Sequence, residues 1–343
     1  MSRLIKTLLL ALIILVGGWL LYHRHQISSL ADAVQLAERQ LGIQPTTSEN
    51  PFRLASSSRR WNRSWFGSPG DLQPAGYRIG PRGSSDTIRV ASFKLETAGA
   101  AGDLVLTADI CQQFDVVAIQ NHSQLSIPLL VAELNRRGYD FRFVDRQESN
   151  RLAAVIFNQQ VVLLDEQHAY TVNDPEDLFL YEPLVAWFRA SQPPDDQAFT
   201  FTLVNLQLSA ERPDQEIAAL GELFRAIRLD GRGEDDVILA GDFYSSGKQL
   251  RRIASVSGVS AAISGVATNT RANSQLDNLL FDHKATTEYT GVSGVFDFMI
   301  RFNMTLRDAM QISQRLPVWA DFSAVEGRAP GRADERVSLQ ANR

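Results

Sequence analysis

The chain holds a single cysteine in 343 residues, so no disulfide can form within it and its stability has to come from packing. That residue, Cys111, lies among apolar neighbours in ADICQQFDVVAI and reads as a core side chain; a reactive thiol needs an accessible, electropositive setting. Histidine is scarce too. Of the five, His23, His25, His122, His168 and His283, the one at His122 has no metal-binding spacing around it and reads as a surface or hydrogen-bonded side chain. A basic excess is also missing. Lys and Arg number 34 against 39 Asp and Glu, a net charge of −5, so nothing in the balance advertises a general nucleic-acid binder and any anion site is left to local clustering. With 44% hydrophobic and 21% charged residues, the composition suits one large domain with flanking segments.

One long hydrophobic run is present. LIKTLLLALIILVGGWLLY, residues 4–22, is apolar apart from Lys6 and Thr7 and, as a helix rising about 1.5 Å per residue, nearly crosses a bilayer. A cleaved signal peptide is the rival reading, but the run exceeds a usual signal core and no small-residue cleavage site follows directly. We therefore expect an uncleaved, single-pass anchor. Arg3 and Lys6 lie at its start and Arg24 follows it, while Trp19 and Tyr22 sit at its far end, a balance that favours a cytoplasmic N-terminus and an extracytoplasmic body. Residues 23–43 continue with Ile27, Leu30, Val34, Ala37 and Leu41 at helical spacing and suggest a stalk. Residues 44–87 turn to Arg, Ser, Pro and Gly, the composition of a linker, and residues 326–343 lack periodicity, so a disordered tail is expected there.

Between these flanks, residues 88–325 interleave strands and helices. IRVASF alternates as a strand, GDLVLTADICQQF is helical, DVVAI is a buried strand and LSIPLLVAELNRRG a second helix. The middle is β-rich: YDFRFVD, RLAAVIF, VVLLD, HAYTVN, LVAWFRA and FTFTLVNLQL. A helix at PDQEIAALGELFRAIRL leads into DVILAGD, a short helix, LDNLLFD and finally LPVWADFSA. Antiparallel strands bracketed by βα units predict an α/β (α+β) fold of two mixed sheets packed face to face, with helices outside.

In order, the strand ends read IRVASFKLE, DVVAIQNH, FTLVNLQLSA, DVILAGDFYSS, QLDNLLFD and ISQRLPVWADF. This series resembles the endonuclease/exonuclease/phosphatase superfamily, the deoxyribonuclease-I-like fold, over nearly the whole core. The resemblance implies a four-layer α-β-β-α sandwich and, in active members, divalent-metal hydrolysis of phosphoesters. It also implies which residues should do the chemistry, and here most differ. Lys94 stands where the family has a metal- or phosphate-contacting asparagine. Gln120 is followed by Asn121 in place of the metal-binding glutamate, and Gln207 replaces a phosphate-binding histidine. Asp242 is kept, but Tyr244 replaces the asparagine two residues on. Asp277 is kept; Ser313, Gln314 and Arg315 replace Ser-Asp-His, and Arg151 and Ala153 stand where close members carry Glu and Tyr.

A hard divalent cation prefers several anionic oxygens, whereas this centre offers Asp242 and Asp277 against Lys94 and Arg315. No metal is therefore expected there; Mg2+ or Mn2+ enters only on the alternative that residual phosphodiesterase, nuclease or phosphatase activity survives. The leading expectation is a pseudoenzyme in which Lys94 and Arg315 pair with Asp242 and Asp277, the tethered cations taking the charge role of a metal. A sharper version has Lys94, Arg151 and Arg315, with Asn121 and Gln207, bind a phosphate-bearing ligand; Arg189 reads first as an exposed strand arginine and only second as a border of the same cleft. Expected partners are the membrane and either such a ligand or a protein.

Overall fold

The computed structural model of the protein describes residues 86–95, 101–121, 126–148, 151–245 and 259–327. The expected anchor and stalk, nearly all of the linker, and the chain from 328 onward lie outside these residues. Among the described residues no helix is long and apolar enough to cross a membrane.

Strands follow in the order β1 (Thr87–Lys94), β2 (Val116–Gln120), β3 (Phe141–Glu148), β4 (Arg151–Asn158), β5 (Val162–Thr171), β6 (Leu184–Ala190), β7 (Thr200–Gln207), β8 (Val237–Asp242), β9 (Ser260–Ala261), β10 (Asp277–Phe281), β11 (Tyr289–Val295) and β12 (Val318–Ser323). Helices are α1 (Ala101–Cys111), α2 (Ser126–Arg136), α3 (Pro213–Arg228), α4 (Phe298–Phe302) and α5 (Leu306–Ile312). One sheet has the order β11-β12-β1-β2-β4-β3 and the other β5-β6-β7-β8-β10-β9. Each is mixed, with one parallel pair at its centre: β1 with β2, and β7 with β8. Parallel neighbours need a long crossover, which α1 and α3 supply; the other pairings are antiparallel.

The two faces of the central strands explain the layering, because successive side chains point to opposite sides of a sheet. On β7, Phe201 and Leu203 enter the main core between the sheets, while Val204 and Leu206 face outward under α3. On β8, Ile238 and Ala240 face inward, and Val237 and Leu239 meet Ile217, Leu220 and Phe224 of α3. Strands apolar on both faces are thus buried on both, as in VILA of β8 and DNLLF of β10. Across the interior, Phe199 stacks on Phe201 at 5.1 Å and on Phe322 at 6.0 Å, joining the two sheets. Contacts of β1 with β8 and of β2 with β7 bring the two parallel centres together. Gly241 is required at the end of β8. A Cβ there would run into the Leu206 carbonyl oxygen, so only glycine allows β7 to approach the residue before Asp242 this closely.

Several elements differ from the sequence reading. VVLLD and HAYTVN form the single strand β5, whose register against β6 shifts between Asp165 and Tyr170. Between LDNLLFD and LPVWADFSA, where no element was expected, the chain builds β11, α4 and α5. Helices of one or two turns carry too little periodicity to register. Their caps were the legible signal: Asp297 accepts from Ile300 N and Thr305 from Asp308 N. The body also extends past the expected tail boundary, since Glu326 N donates to Gln197 O at 2.9 Å and Gly327 N to Glu288 Oε1 at 2.6 Å. At the front β1 begins at Thr87, a residue assigned to the linker. The short helix expected after DVILAGD falls outside the described residues. Cys111 is wholly buried, and burial pushes its thiol up to about 12.

Candidate functional site

The two parallel pairs fix where the polar residues meet. Lys94 ends β1 opposite Gln120 at the end of β2, and Gln207 ends β7 opposite Asp242 at the end of β8. β10 enters antiparallel with Asp277 opposite Asp242. The carboxyl ends of both central pairs therefore converge with the start of β10, the end of an α/β sheet at which sites usually form.

Asp242 is the hub. Fully buried, it accepts hydrogen bonds at Oδ2 from Lys94 Nζ at 2.8 Å and from Arg315 Nη2 at 3.1 Å, and at Oδ1 from Tyr244 N at 3.1 Å. Asp277 Oδ2 accepts from Thr268 Oγ1 at 2.8 Å and lies 3.4 Å from Arg315 Nε, close enough for charge pairing but outside hydrogen-bond geometry. Tyr244, at a left-handed φ of 47°, turns its ring over both cations: its centroid is 4.7 Å from Lys94 Nζ and 5.0 Å from Arg315 Cζ. Its hydroxyl also accepts from Lys94 Nζ at 3.2 Å. Ser313 holds the arrangement from behind, donating through Oγ to Lys94 O at 2.5 Å and accepting from Arg315 N at 2.8 Å.

The electrostatics follow from these distances. Burial would lower the pKa of Lys94, but the charge and hydrogen bond of Asp242, helped by Tyr244, more than offset it and leave the ammonium above its ordinary value. Arg315 responds the same way: desolvation opposes its charge, and Asp242 and Asp277 restore it. Asp277 is pushed well upward, first by burial and then by the neighbouring charge of Asp242, against the pull of Arg315, Thr268 and Lys94. The centre thus holds two firm positive charges, one well-paired carboxylate and a second carboxyl biased toward its neutral form. These residues do not fit a divalent cation. The Asp242 oxygens are taken by three donors, and a lysine nitrogen stands at hydrogen-bond distance where a metal would need an open oxygen.

Other expected positions are placed differently. Asn121, at φ 56°, donates through Nδ2 to Leu95 O at 2.9 Å and so ties the end of β2 to the residue after β1. Gln207 is half-buried beside Asp242 in register, whereas the Gln314 side chain is exposed and its backbone oxygen accepts from Thr270 N. Ala153 lies opposite Gln120 across β2 and β4, so the backbone of Arg151, two residues earlier, belongs to the same end; the Arg151 side chain lies outside the described residues. His122 lies outside them as well. His168 pairs with Asp165 at 2.7 Å and His283 packs on Phe281. Arg189 does not border the centre. It pairs in register with Thr200 at the far end of β7 from Gln207, and its guanidinium meets Asp195.

Two parts of the site escaped sequence reasoning. Thr268, which supports Asp277, had no signal in its polar loop. Asn205 did: it is the one amide inside the apolar stretch FTLVNL, and it bridges the sheets, accepting from Gln120 Nε2 at 2.7 Å and donating to Ile119 O and Ala154 O, each at 2.9 Å.

No family model matches the chain. Among curated proteins it is similar to deoxyribonuclease-1-like 1 of Bos taurus, 29% identical over 278 residues, covering 72% of this chain and 85% of that one. The Homo sapiens protein of that name is 26% identical, covering 68% and 84%, and deoxyribonuclease gamma of Rattus norvegicus is 23% identical, covering 74% and 90%. Among solved structures, the human Nocturnin catalytic domain with bound sulfate anion superposes with a TM-score of 0.49 at 16% identity, covering 70% of this chain and 95% of that one. An endonuclease/exonuclease/phosphatase family protein from Bacteroides thetaiotaomicron gives 0.47 at 14%, covering 68% and 97%.

Proposed function

This chain belongs to the endonuclease/exonuclease/phosphatase superfamily, the deoxyribonuclease-I-like fold, and from that membership we propose that it is a membrane-anchored pseudoenzyme, acting by binding a protein partner or a phosphate-bearing ligand. One observation carries the reading: Asp242 Oδ2 is shared by Lys94 and Arg315. In an active member clustered carboxylates, the glutamate at the Asn121 position foremost, would hold a metal; here two tethered cations satisfy the aspartate that is retained. Lys94, Asn121, Gln207, Tyr244, Gln314 and Arg315 all depart from the family pattern at that centre, and no histidine among the described residues stands near Asp242 to relay a proton. Internal pairing leaves little free positive charge for a ligand, so the surface around the centre is the better candidate for partner contact, with phosphate binding as the version to be tested beside it.

Residual nuclease or phosphoesterase activity is the second reading, favoured by the names of the curated relatives. A single experiment separates the two. The full-length chain in detergent is titrated calorimetrically with Mg2+ and Mn2+ and then incubated with plasmid DNA, single-stranded oligonucleotide and aryl phosphomono- and diesters. The pseudoenzyme reading expects no turnover on any substrate and no metal-binding event sensitive to Asp242→Asn. Metal-dependent cleavage that Asp242→Asn abolishes would overturn it. A rise in melting temperature with phosphate or nucleotide would favour ligand over protein.

The anchor rests on the apolar run of residues 4–22. Resistance to carbonate extraction, with protease cleavage of the body from the non-cytoplasmic side, is the expected behaviour; release by carbonate would remove the anchor.

A further inference from the structure

A second cluster of ionisable groups lies at the opposite end of the sandwich. Asp236 immediately precedes β8, and the six residues from there to Asp242 separate the two ends by about 20 Å at ~3.3 Å per strand residue. Around Asp236 gather Glu288, just before β11, and Glu326, just after β12, with one carboxylate oxygen from each within 4.8 Å of the others. Asp236 and Glu288 are each only 3% exposed, and none of the three has an ion-pair partner among the described residues. The charges acting on Asp236 are those of Glu234, Glu288 and Glu326, all of one sign.

Buried carboxylates so close together cannot all stay ionised without a compensating cation. Burial, then Glu234 and Glu288, pushes Asp236 up to about 10, and burial, then Glu288, pushes Glu326 up to about 8. A second, separate observation points to a ligand. The Thr286 hydroxyl, 1% exposed, lies against Asp236 and helps hold its carboxyl down, but no hydrogen bond of full geometry forms there, and Asp236 Oδ1 and Glu288 Oε2 beside it likewise have no partner. By contrast Glu288 Oε1 is fully used, accepting from Gly327 N at 2.6 Å and Thr287 Oγ1 at 3.1 Å, so Glu288 is fixed with its other oxygen turned inward.

We propose that Asp236, Glu288 and Glu326, with the Thr286 hydroxyl, bind one hard divalent cation that pins together the start of β8, the start of β11 and the segment after β12. Every donor is oxygen, which selects a hard ion over zinc or copper. Two of the three carboxylates are 3% exposed, which leaves little room for retained water, and Mg2+ gives up its water reluctantly, so an ion of the Ca2+ class suits the site better. Such a site is structural: it staples both sheets at the end remote from Asp242 and does not depend on the pseudoenzyme reading. Because binding displaces protons, affinity should rise with pH.

The test uses the full chain stripped with chelator and titrated with Ca2+, Mn2+ and Mg2+ at pH 6 and 8, reading melting temperature, bound Mn2+ by paramagnetic resonance and heat. Expected are one Mn2+ per chain, a higher melting temperature in Ca2+ than in Mg2+, and affinity at least tenfold tighter at pH 8. Glu288→Gln and Asp236→Asn should each weaken binding at least tenfold, about the loss expected for a perturbed metal site. The exposed helical control Glu222→Gln should leave it unchanged. Both neutral isosteres relieve like-charge crowding, so metal-free variants should melt no lower than the metal-free parent; should one fail to fold, the half-buried Glu326→Gln carries the test. Absence of saturable binding at pH 8, or binding that survives Glu288→Gln and Glu326→Gln, would overturn the proposal.

Discussion

Lys94 Nζ and Asp242 Oδ2 lie 2.8 Å apart at the meeting of the two sheets, between strands that are 148 residues apart in sequence. The pair is buried, and Arg315 shares the same oxygen. Taking two ions out of water costs several kcal/mol each, and only close pairing recovers it, so the contact holds the fold while occupying the centre.

Removing one side of this pair should therefore destabilise the domain. Lys94→Met is expected to cost about 3 kcal/mol, the lower end of the usual ~3–5 kcal/mol for an orphaned buried charge, because Arg315 still serves Asp242. Asp242→Asn, which orphans two cations, should cost more. Urea denaturation of both variants ranks them; a larger loss for Lys94→Met would contradict the shared-carboxylate geometry.

Rebuilding the family pattern tests whether turnover was lost through these positions. A chain carrying Lys94→Asn, Asn121→Glu, Gln207→His, Tyr244→Asn, Gln314→Asp and Arg315→His is expected to bind Mg2+ and to hydrolyse an activated phosphodiester at least about a hundredfold above the parent, the lower end of what general acid–base groups supply. A folded variant that stays at background would point to further lesions in the loops.

Ser313 predicts a different kind of loss. Its hydroxyl satisfies the Lys94 carbonyl and the Arg315 amide at once, and both are buried. Ser313→Ala should cost about 1–3 kcal/mol, the desolvation penalty of leaving buried polar groups unpaired, with no change in charge. Its denaturation midpoint should be no more sensitive to salt than the parent's.

The opposite end predicts a pH dependence. Asp236 is raised to about 10 and Glu326 to about 8 in the fold, above their unfolded values near 4. The folded state then binds more protons than the unfolded one, so stability contributed by these groups is full below pH 4 and falls as pH rises, through about 8 for Glu326 and on toward 10 for Asp236. Melting temperature of the chelator-treated chain should decline from pH 5 to pH 9, and Asp236→Asn should flatten the slope. Saturating Ca2+ should flatten it too. A metal-free parent that gains stability across this range would refute the assignment.

The local sequence already held much of this. Buried strands such as VILAGD and VVAIQ, the helix PDQEIAALGELFRAIR and the order of the strand ends follow from short apolar runs and their spacing, and with them came the recognition that Lys94, Asn121, Gln207 and Arg315 stand where a phosphoesterase needs other chemistry. Residue types at known strand ends are a local property. What only the tertiary structure decided is which distant groups share an oxygen or a proton. Nothing along the chain announces that Thr268 braces Asp277, or that the lone amide Asn205 finds Gln120 of the other sheet as its partner. Nor does it announce that Asp236, Glu288 and Glu326 crowd into one buried corner. Those meetings depend on strand register and on how two sheets face each other, and the electrostatic energies they set vary with distances of a few ångströms that no linear pattern encodes.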